Sequence, residues 1–397
     1  MKSIESFNFS EKKAIMRVDF NVPLSANYEV QDDKRMRAAL PSMQKILQDG
    51  GALVLMSHLG RPKTGYEEAY SLKHLVAPLS DLLERPVQFA SDCIGDEAEN
   101  KAKALKAGEV LLLENLRFHD EEKGGEMNFA EKLAKLGDIY VNDAFGTAHR
   151  RHASTAVIAR FFESDKCFGF LMQKEIENGQ HLMDNYQKPF TAIVGGAKVS
   201  DKVNIISNLI DRVDNLIIGG AMAYTFVKAQ GGKVGKSLVE DSKINLARNL
   251  IQKALNNDVN ILLPDDAVAA DKIEDGIATK TVGVGQIPDD LMGLDIGPDS
   301  VAKFRKILLQ SKTILWNGPM GVFEMKSFEQ GTKGVAEAVA EATQAQAAYS
   351  LIGGGDSAAA IKKYGLSDKV SFVSTGGGAM LTFLEGKTLP GIAAIMD

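Results

Sequence analysis

In the first half of the chain, most members of a set of basic and polar side chains lie at the ends of short apolar runs, where strands would end. The set comprises Asp19, Asn21, Arg35, His58, Arg61, Arg117 and Arg150. A guanidinium fork matches the oxygens of a phosphate or a carboxylate. A single surface arginine usually has no ligand, but three of these four arginines follow strand ends, and their convergence predicts a phosphate pocket. Alternatively, Asp19 and Asn21 only shape a turn before Pro23.

The second half of the chain places glycine and lysine after its apolar runs. Gly195 and Gly196 precede a stretch in which we expect a helix to carry Lys198 and Lys202 one turn apart. Glycine lets backbone N–H groups approach an anion, and a helix N-terminus adds positive potential. A solvated lysine pair is the alternative, but lysines in a first helical turn oppose the helix dipole. The pattern therefore favours an anionic ligand.

Two more glycine-rich segments have the same design. Residues 353–357 place Asp356 and a hydroxyl at the start of a predicted helix, and residues 376–378 are three glycines before another. Asp356 is either a helix N-cap or a ligand of Mg²⁺, which commonly takes one or two carboxylates together with substrate phosphates. The three glycines predict a further backbone anion site.

Several familiar motifs can be set aside. Residues 231–237 resemble a Walker A loop but are one residue short, because Gln230 stands where the first glycine belongs. They also follow a helical segment, whereas a P-loop follows a strand. The chain has no proper GxGxxG fingerprint, no HExxH and no GxSxG.

Composition narrows the class of partner. The net charge of −6 argues against a general nucleic-acid or membrane-surface binder. Cys93 and Cys167 are the only cysteines, which excludes a disulfide scaffold or structural zinc site and fits a reducing compartment. The N-terminus lacks the apolar core of a signal peptide, and no apolar run is long enough to span a membrane. We expect a cytoplasmic monomer that acts on small molecules.

The elements that must position these residues alternate along the chain. Apolar, β-branched runs predict strands, listed here by number: 14–19, 52–57, 110–114, 139–143, 191–194, 215–218, 260–263, 313–316, 349–352 and 370–374. Helical periodicity covers, among others, residues 72–83, 203–213 and 328–343. The fold class is α/β: two similar-sized lobes, each a mostly parallel sheet flanked by helices in three layers.

A helical stretch over residues 169–186 and a polar break before Pro189 mark the expected boundary. We expect an N-terminal lobe over 1–168, a hinge helix and linker over 169–188, and a C-terminal lobe over 189–382. The tail, 383–397, is expected to pack back on the first lobe. Because the first lobe ends its strands in arginine, histidine and asparagine and the second in glycine, two different anionic ligands are predicted, one in each lobe.

These residues, in this order, resemble phosphoglycerate kinase over essentially the whole chain. The matching segments are RVDFNVP at 17–23, RMRAALP at 35–41, SHLGRP at 57–62, LENLRF at 113–118, NDAFGTAHR at 142–150, IVGGAKVSDK at 193–202, GKSL at 235–238, GLDIGP at 293–298, ILWNGPMGVFE at 314–324, GGGDS at 353–357 and STGGGA at 374–379.

The resemblance implies a role for each site residue. The first lobe would hold 3-phosphoglycerate or 1,3-bisphosphoglycerate through Asp19, Phe20, Asn21, Arg35, His58, Leu59, Gly60, Arg61, Arg117 and Arg150. The second would hold MgADP or MgATP through Lys198, Lys202, Gly219, Gly220, Gly293, Asn317, Glu324, Gly354, Gly355, Asp356 and Ser357. Asp356 would reach Mg²⁺ through the nucleotide phosphates, and Glu324 would bind the ribose. The catalytic group would be Arg35, Lys198, Lys202, Gly376, Gly377 and Gly378.

The implied reaction is reversible phosphoryl transfer between 1,3-bisphosphoglycerate and ADP, a step of glycolysis, by in-line transfer on closure of the lobes. Its carboxylate nucleophile is ionised at neutral pH, so no general base is needed. Ser357 replaces a common threonine and keeps the hydroxyl, while residues 325–327 and 380–383 are atypical and bear on loop stiffness. Two alternatives remain: a non-catalytic nucleotide-binding module and a kinase of another carboxylic acid.

Overall fold

The computed structural model describes residues 2–63 and 65–397, which form two compact units. The first contains the chain up to Glu177 together with Lys387–Asp397, and the second contains Asn178–Gly386. Among the described residues, no helix combines the length and the apolar character needed to cross a membrane.

The first unit alternates strands and helices. Its elements are β1 (Lys13–Val18), α1 (Lys34–Gln48), β2 (Ala52–Met56), α2 (Val76–Leu83), β3 (Val87–Ala90), α3 (Asp96–Ala104), β4 (Val110–Leu113), α4 (Asp120–Gly124), α5 (Met127–Ala134), β5 (Ile139–Asp143), β6 (Lys166–Phe168) and α6 (Phe170–Asp184). The chain passes into the second unit within α6.

The six strands of the first unit form one parallel sheet in the order β3-β4-β2-β1-β5-β6. Helices cover parallel sheets on their faces, so central strands read as continuous apolar runs, and β2 is buried at every residue. The core packs Met16 and Leu53 of the sheet with Met36, Met43 and other apolar residues of α1. This rigid sheet fixes the positions of the loops that follow its strands.

The second unit repeats the plan and adds two small sheets. Its elements are β7 (Phe190–Val194), α7 (Val203–Ile210), β8 (Asn215–Ile218), α8 (Met222–Ala229), β9 (Lys233–Val234), α9 (Ile244–Asn256), β10 (Asn260–Leu262), β11 (Asp266–Ala270), β12 (Lys280–Gly283), β13 (Gln286–Ile287), β14 (Met292–Ile296), α10 (Pro298–Leu308), β15 (Thr313–Asn317), α11 (Gln330–Gln346), β16 (Tyr349–Gly353), α12 (Gly355–Lys363), β17 (Phe372–Val373) and α13 (Gly378–Leu384).

The main sheet of the second unit is parallel, in the order β10-β8-β7-β15-β16-β17. Strands β12, β11 and β14 form an antiparallel sheet, and β9 pairs with β13. A last helix, α14 (Pro390–Met396), belongs to the first unit, where Gly391 N donates to Ala148 O at 2.9 Å.

The predicted fold class is confirmed, and all ten predicted strands are present within two residues at each end. The helix predicted over 72–83 begins instead with a 3₁₀ turn, Leu72–Leu75, before α2. The helix predicted over 203–213 ends at Ile210, and that over 328–343 spans Gln330–Gln346. Strands β3, β6, β9 and β11 to β14 were not predicted.

Candidate functional site

In the first unit, the predicted polar residues lie in loops that follow four adjacent strands. In sheet order these strands are β4, β2, β1 and β5. The carboxyl ends of parallel strands share one edge of a sheet, which is where open α/β sheets bind ligands. Arg35 joins this edge from the first turn of α1. The loops supply the rest: Asp19, Phe20 and Asn21 after β1, His58, Leu59, Gly60 and Arg61 after β2, Arg117 after β4, and Arg150 after β5.

Hydrogen bonds between these loops fix the backbone of the edge. Asn21 Oδ1 accepts from Gly60 N at 2.8 Å. Asn115 Oδ1 accepts from Leu59 N, and Asn115 Nδ2 donates to Leu59 O at 2.8 Å. Phe20 N donates to Ser57 Oγ at 2.9 Å. Gly60 has a φ of +63°, and a Cβ there would lie 2.2 Å from the Tyr70 ring, so this turn requires glycine.

The charged side chains meet above this backbone. Arg35 Nη1 donates to Asp19 Oδ2 at 2.8 Å, and His58 Nδ1 lies 3.9 Å from Asp19 Oδ1. Arg117 Nη1 donates to Gly60 O at 2.8 Å. Arg17, which was not predicted as a site residue, is fully buried and places Nη2 3.1 Å from His58 Nδ1. We call Asp19, Arg35, His58 and Arg117 the anion pocket.

Positive charge exceeds negative charge around this pocket. Burial, and then the charges of Arg17 and Arg150, lower the pKa of Arg117 to about 10. Burial, followed by Arg17, Arg117 and Arg35, holds the pKa of His58 well below its usual value. The pKa of His152 falls to about 4 through burial and then through the charges of Arg17, Arg117 and Arg150. Guanidinium groups crowded around neutral histidines make this edge of the sheet suited to bind an anion.

The two remaining predicted arginines are exposed. Arg150 Nε donates to His149 Nε2 at 3.1 Å, and its charge acts on Arg117. Arg61 follows Gly60 in the loop after β2. Within the described part of the chain, no hydrogen bond or ion pair joins Arg61 to the anion pocket. The structure therefore brings together Asp19, Arg35, His58 and Arg117, with Arg150 beside them.

In the second unit, the glycine-rich strand exits pack backbone against backbone. A Cβ on Gly195, after β7, would lie 2.1 Å from Pro319 O, and one on Gly220, after β8, would lie 2.5 Å from Gly196 N. Gly195 N donates to Asn317 O at 2.8 Å. No residue other than glycine fits at this spacing, so the sequence has glycine where three strand exits converge.

The prediction that a helix carries Lys198 and Lys202 is wrong. Helix α7 begins at Val203, so both lysines lie in the preceding loop. Gly196, with a φ of +119°, turns the chain, and Glu240 accepts hydrogen bonds from the backbone N and hydroxyl of Ser200, which hold the loop in place. Neither lysine therefore occupies the first turn of a helix, so the dipole argument for an anion does not apply.

Lys202 contacts the strand exits directly. Its Nζ donates to Asn317 Oδ1, and Asn317 Nδ2 donates to Gly353 O at 2.7 Å. Burial lowers the pKa of Lys202, while the charges of Asp356 and Asp201 act in the opposite direction. Ser357 is fully buried, and its Oγ accepts from Gly318 N at 2.5 Å. Asn317 and Ser357 therefore tie the exits of β15 and β16 together beside the lysine.

A cavity of about 510 Å³ opens beside these exits. Of the predicted nucleotide-binding residues, Gly220, Gly293, Glu324 and Asp356 line it; Gly219, Asn317, Lys198, Lys202, Gly354, Gly355 and Ser357 do not. The other walls are mainly apolar: Tyr224, Leu238, Ile273, Met292, Leu294, Met320 and Val322. A largely apolar cavity of this size with a few polar groups is typical of a small-molecule site.

The motif dismissed in the sequence contributes to this cavity. Lys236 lines its wall, and Lys236 N donates to Leu291 O at 2.8 Å. The next residue, Ser237, accepts a hydrogen bond from Gly293 N at 2.9 Å. The segment is not a P-loop, but it places a lysine on the cavity. The sequence did not predict the apolar walls of the cavity, because an apolar residue that lines a cavity cannot be distinguished in the sequence from one that packs in the core.

Asp356 lies in the first turn of α12 and is exposed. The N-cap of this helix is Gly354, and no side chain caps it, so the cap interpretation of Asp356 fails. A carboxylate that faces the cavity without a capping bond fits a Mg²⁺ ion carried on nucleotide phosphates. Gly377 is the N-cap of α13, and Gly376 N already donates to Ser374 Oγ at 3.0 Å.

Comparison with known proteins gives a consistent result. The phosphoglycerate kinase family model matches residues 4–387. The phosphoglycerate kinase of Porphyromonas gingivalis is 54% identical over 417 aligned positions, covering 99% of each chain. That of Chloroherpeton thalassium is 53% identical and covers 100% of this chain and 99% of its own.

Solved structures of phosphoglycerate kinases share the fold. The enzyme from Coxiella burnetii superimposes with a TM-score of 0.89 at 40% identity, covering 99% of this chain and 98% of its own. The enzyme from Pyrococcus horikoshii gives a TM-score of 0.83 at 33% identity, covering 100% and 98%.

Proposed function

This chain belongs to the phosphoglycerate kinase family, and we propose that it transfers a phosphoryl group reversibly and directly between 1,3-bisphosphoglycerate and ADP. The products are 3-phosphoglycerate and ATP, in the ATP-generating step of glycolysis. The first unit binds the phosphoglycerate and the second binds the Mg-nucleotide. It works as a cytoplasmic monomer on small molecules, without nucleic acid or membrane partners.

One observation supports the binding of phosphoglycerate most strongly. The pKa of Arg117 falls to about 10 because the residue is buried and Arg17 and Arg150 lie nearby. A phosphate and a carboxylate would neutralise this excess charge through bidentate contacts with the arginines. Asp19 and Asn21 orient the surrounding loops, and Arg61 and Arg150 add exposed charge for the outer oxygens of the ligand.

The nucleotide fits the cavity of the second unit. Its apolar walls, which include Leu238 and Leu294, suit a planar base, and Glu324 provides an acceptor for ribose hydroxyls. Lys198 and Lys202 meet the phosphates near Gly219, Gly220, Gly354 and Gly355. Asp356 would hold Mg²⁺ together with those phosphates, and the ion, when bound, neutralises charge on the phosphate oxygens.

The chemistry requires positioning more than proton transfer. In the direction that consumes ATP, the nucleophile is a carboxylate with a pKa of about 4, which is ionised at neutral pH. The loose transition state of phosphoryl transfer then depends on alignment and on stabilisation of charge. Arg35, Lys198 and Lys202 supply that charge, together with the backbone N–H groups of Gly377 and Gly378. The predicted N–H of Gly376 is already engaged by Ser374 Oγ.

Transfer requires the two ligands to meet, although separate units bind them. We therefore propose that α6 and the linker up to residue 188 act as a hinge, and that closure excludes water from the acyl phosphate. Scattering at small angles should show the most compact particle when both 3-phosphoglycerate and a Mg-nucleotide are bound. A radius of gyration that stays the same when both ligands are bound would contradict closure.

A coupled assay of ATP formation tests the function. Purified protein with MgADP should give steady ATP from 1,3-bisphosphoglycerate and far less from acetyl phosphate. Activity that prefers acetyl phosphate would indicate a kinase of another acid. ADP binding without turnover on any acyl phosphate would indicate a non-catalytic nucleotide-binding module.

A further inference from the structure

A chain of buried hydrogen bonds runs beneath the anion pocket and ends at His58. Glu122 Oε1, in α4, accepts from Ser154 Oγ at 2.6 Å, and Ser154 Oγ accepts from Arg17 Nε at 2.9 Å. Arg17 Nη2 then lies 3.1 Å from His58 Nδ1. Glu122, Ser154 and Arg17 are fully buried, and His58 is 3% exposed. Such a chain is rigid, because each member has little freedom to rotate away.

The direction of the last hydrogen bond follows from the chemistry of the partners. A guanidinium carries only donors and stays protonated in proteins. His58 Nδ1 must therefore be the acceptor, because an N–H at that position would face another N–H. Neutral imidazole has one N–H and one acceptor nitrogen, so an accepting Nδ1 leaves the proton on Nε2.

The guanidinium is itself held in place, so this direction is fixed by the fold. Arg17 Nη1 donates to Val18 O, and Arg17 Nε donates to Ser154 Oγ. Ser154 is anchored a second time, since its backbone N donates to Glu122 Oε2 at 2.9 Å. The Glu122 carboxylate balances the buried charge of Arg17, which explains why an arginine can lie inside the sheet.

We propose that Arg17 is a positioning residue that locks His58 as the neutral tautomer with its proton on Nε2. The ring then has a single N–H, which it can donate to an oxygen of the bound acid, and it takes no part as a base. This consequence rests on the proposed function, in which the carboxylate nucleophile is already ionised.

The groups around His58 support this assignment. Burial comes first, and the charges of Arg17, Arg117, Arg35 and His152 follow; all of them lower the pKa of His58. Among the described residues, Asp19 is the one carboxylate within ion-pair distance of the ring, at 3.9 Å from Nδ1, and it already accepts from Arg35 at 2.8 Å. It is too distant for a hydrogen bond to Nδ1, so Arg17 decides the tautomer.

Nuclear magnetic resonance of the full chain with ¹⁵N-labelled histidine tests the proposal. Long-range ¹H–¹⁵N correlations distinguish a protonated ring nitrogen from an unprotonated one. His58, assigned through its loss in His58→Gln, should show an unprotonated Nδ1 and a protonated Nε2 at neutral pH. This pattern should persist to a pH well below the usual pKa of about 6.5. An Nδ1 proton, or an imidazolium at neutral pH, would overturn the proposal.

Two substitutions of Arg17 separate positioning from support of the fold. Arg17→Met removes the donor, so Nδ1–H becomes populated toward Asp19, and the pKa of His58 should rise because one neighbouring positive charge is gone. Arg17→Lys keeps a donor-only cation and should retain the Nε2–H tautomer. An unchanged tautomer in Arg17→Met would refute the role of Arg17. If Arg17→Met does not fold, the measurement on the unmodified chain still decides the tautomer, and Arg17→Lys still tests the donor.

A matched control is available in the same unit. Arg85 is a partly buried arginine whose Nη1 donates to Gly108 O at 2.9 Å. Arg85→Met also removes a guanidinium from the first unit and should leave the His58 resonances unchanged. The measurement needs no turnover, so the tautomer can be found as proposed even if the protein fails to phosphorylate ADP. A wrong tautomer assignment and a wrong proposed function would therefore give different experimental results.

Discussion

Arg35 Nη1 and Asp19 Oδ2 lie 2.8 Å apart at the mouth of the anion pocket. The Arg35 side chain is 38% exposed and that of Asp19 is 11% exposed. Asp19 therefore orients one arm of a guanidinium whose side chain remains partly exposed. A carboxylate thus fixes the orientation of Arg35 without burying it. An arginine held in this way is suited to contact a group that is transferred during the reaction.

Substitution of Arg35 should affect turnover more than substrate affinity. If Arg35 acts on charge that develops during transfer, Arg35→Ala should lower kcat by about 10²–10³-fold with little change in KM. Arg35→Lys should recover part of the rate, because an ammonium lacks the fork geometry. Steady-state kinetics with both substrates varied provides the measurement.

Two other arginines serve as comparisons for Arg35. Arg117→Ala should raise KM for 3-phosphoglycerate more than it lowers kcat, since Arg117 anchors the ligand in the pocket. Arg37→Ala removes an exposed arginine of the same helix, paired with Asp33, and should leave both constants unchanged. A higher KM with a normal kcat in Arg35→Ala would make Arg35 an anchor and leave the catalytic charge to the lysines.

Loss of Asp356 should weaken only nucleotide binding. Asp356→Ala removes the cavity-facing carboxylate, so calorimetry should show weaker binding of MgADP and an unchanged affinity for 3-phosphoglycerate. Metal-free ADP should bind both proteins alike, because the lost contact is to the ion. Asp368→Ala, at an exposed aspartate of the same unit, is the control. An equal loss of affinity for both ligands would assign Asp356 a structural role.

Lys236 should contribute to nucleotide affinity although its motif is not a P-loop. It lines the cavity from a turn fixed by the hydrogen bonds of Lys236 N and Ser237 Oγ. An exposed charge pair contributes about 1 kcal/mol or less, so Lys236→Ala should weaken ADP binding by about 3- to 5-fold. Lys233→Ala, an exposed lysine of the same segment that does not line the cavity, should bind ADP normally. Equal affinities of Lys236→Ala and the unmodified chain would remove Lys236 from the site.

Asp143 should make the stability of the first unit depend on pH. Burial raises its pKa to about 7, against the opposing effect of hydrogen bonds from the Met172 backbone and the Ser42 side chain, and its Oδ1 accepts from Met172 N at 3.0 Å. The folded state thus holds a proton that the unfolded chain releases near pH 4, so this group contributes less stability as pH rises from about 4 to 7.

Asp143→Asn mimics the protonated carboxyl at every pH. Its unfolding free energy in urea, followed by circular dichroism, should match that of the unmodified chain near pH 4. The variant should become the more stable of the two as pH rises toward 7, because the unfolding free energy of the unmodified chain falls, relative to that of the variant, by about 1.4 kcal/mol per pH unit. Above pH 7 this difference should grow no further. A difference that does not vary with pH would show that the Asp143 carboxyl is ionised in the folded protein.

The central strands could be predicted from the sequence because parallel strands covered on both faces read as unbroken apolar runs, as in β2 and β4. The short edge strand β3 is buried only at its two end residues, and β12 is mostly exposed, so neither shows such a run. The pocket residues were found because arginine and histidine after a strand are chemically distinctive.

The rest of the site depends on contacts that the sequence does not encode locally. Arg17 lies within β1, where a side chain usually belongs to the core, and its role depends on Ser154 and Glu122 far along the chain. The loop position of Lys202 depends on the turn at Gly196 and on the hydrogen bonds that Ser200 donates to Glu240. The apolar walls of the cavity have no distinguishing residue type.

In the proposed reaction the phosphoryl group passes directly between two bound substrates, without a phosphorylated protein intermediate. The stereochemical course at phosphorus tests it, using ATP made chiral at the γ-phosphorus with oxygen isotopes and 3-phosphoglycerate as acceptor. A single in-line displacement inverts the configuration, and this is the predicted result, since His58 is held neutral with its acceptor nitrogen engaged by Arg17. Retention of configuration would indicate two successive transfers through a side chain of the protein and would contradict the account.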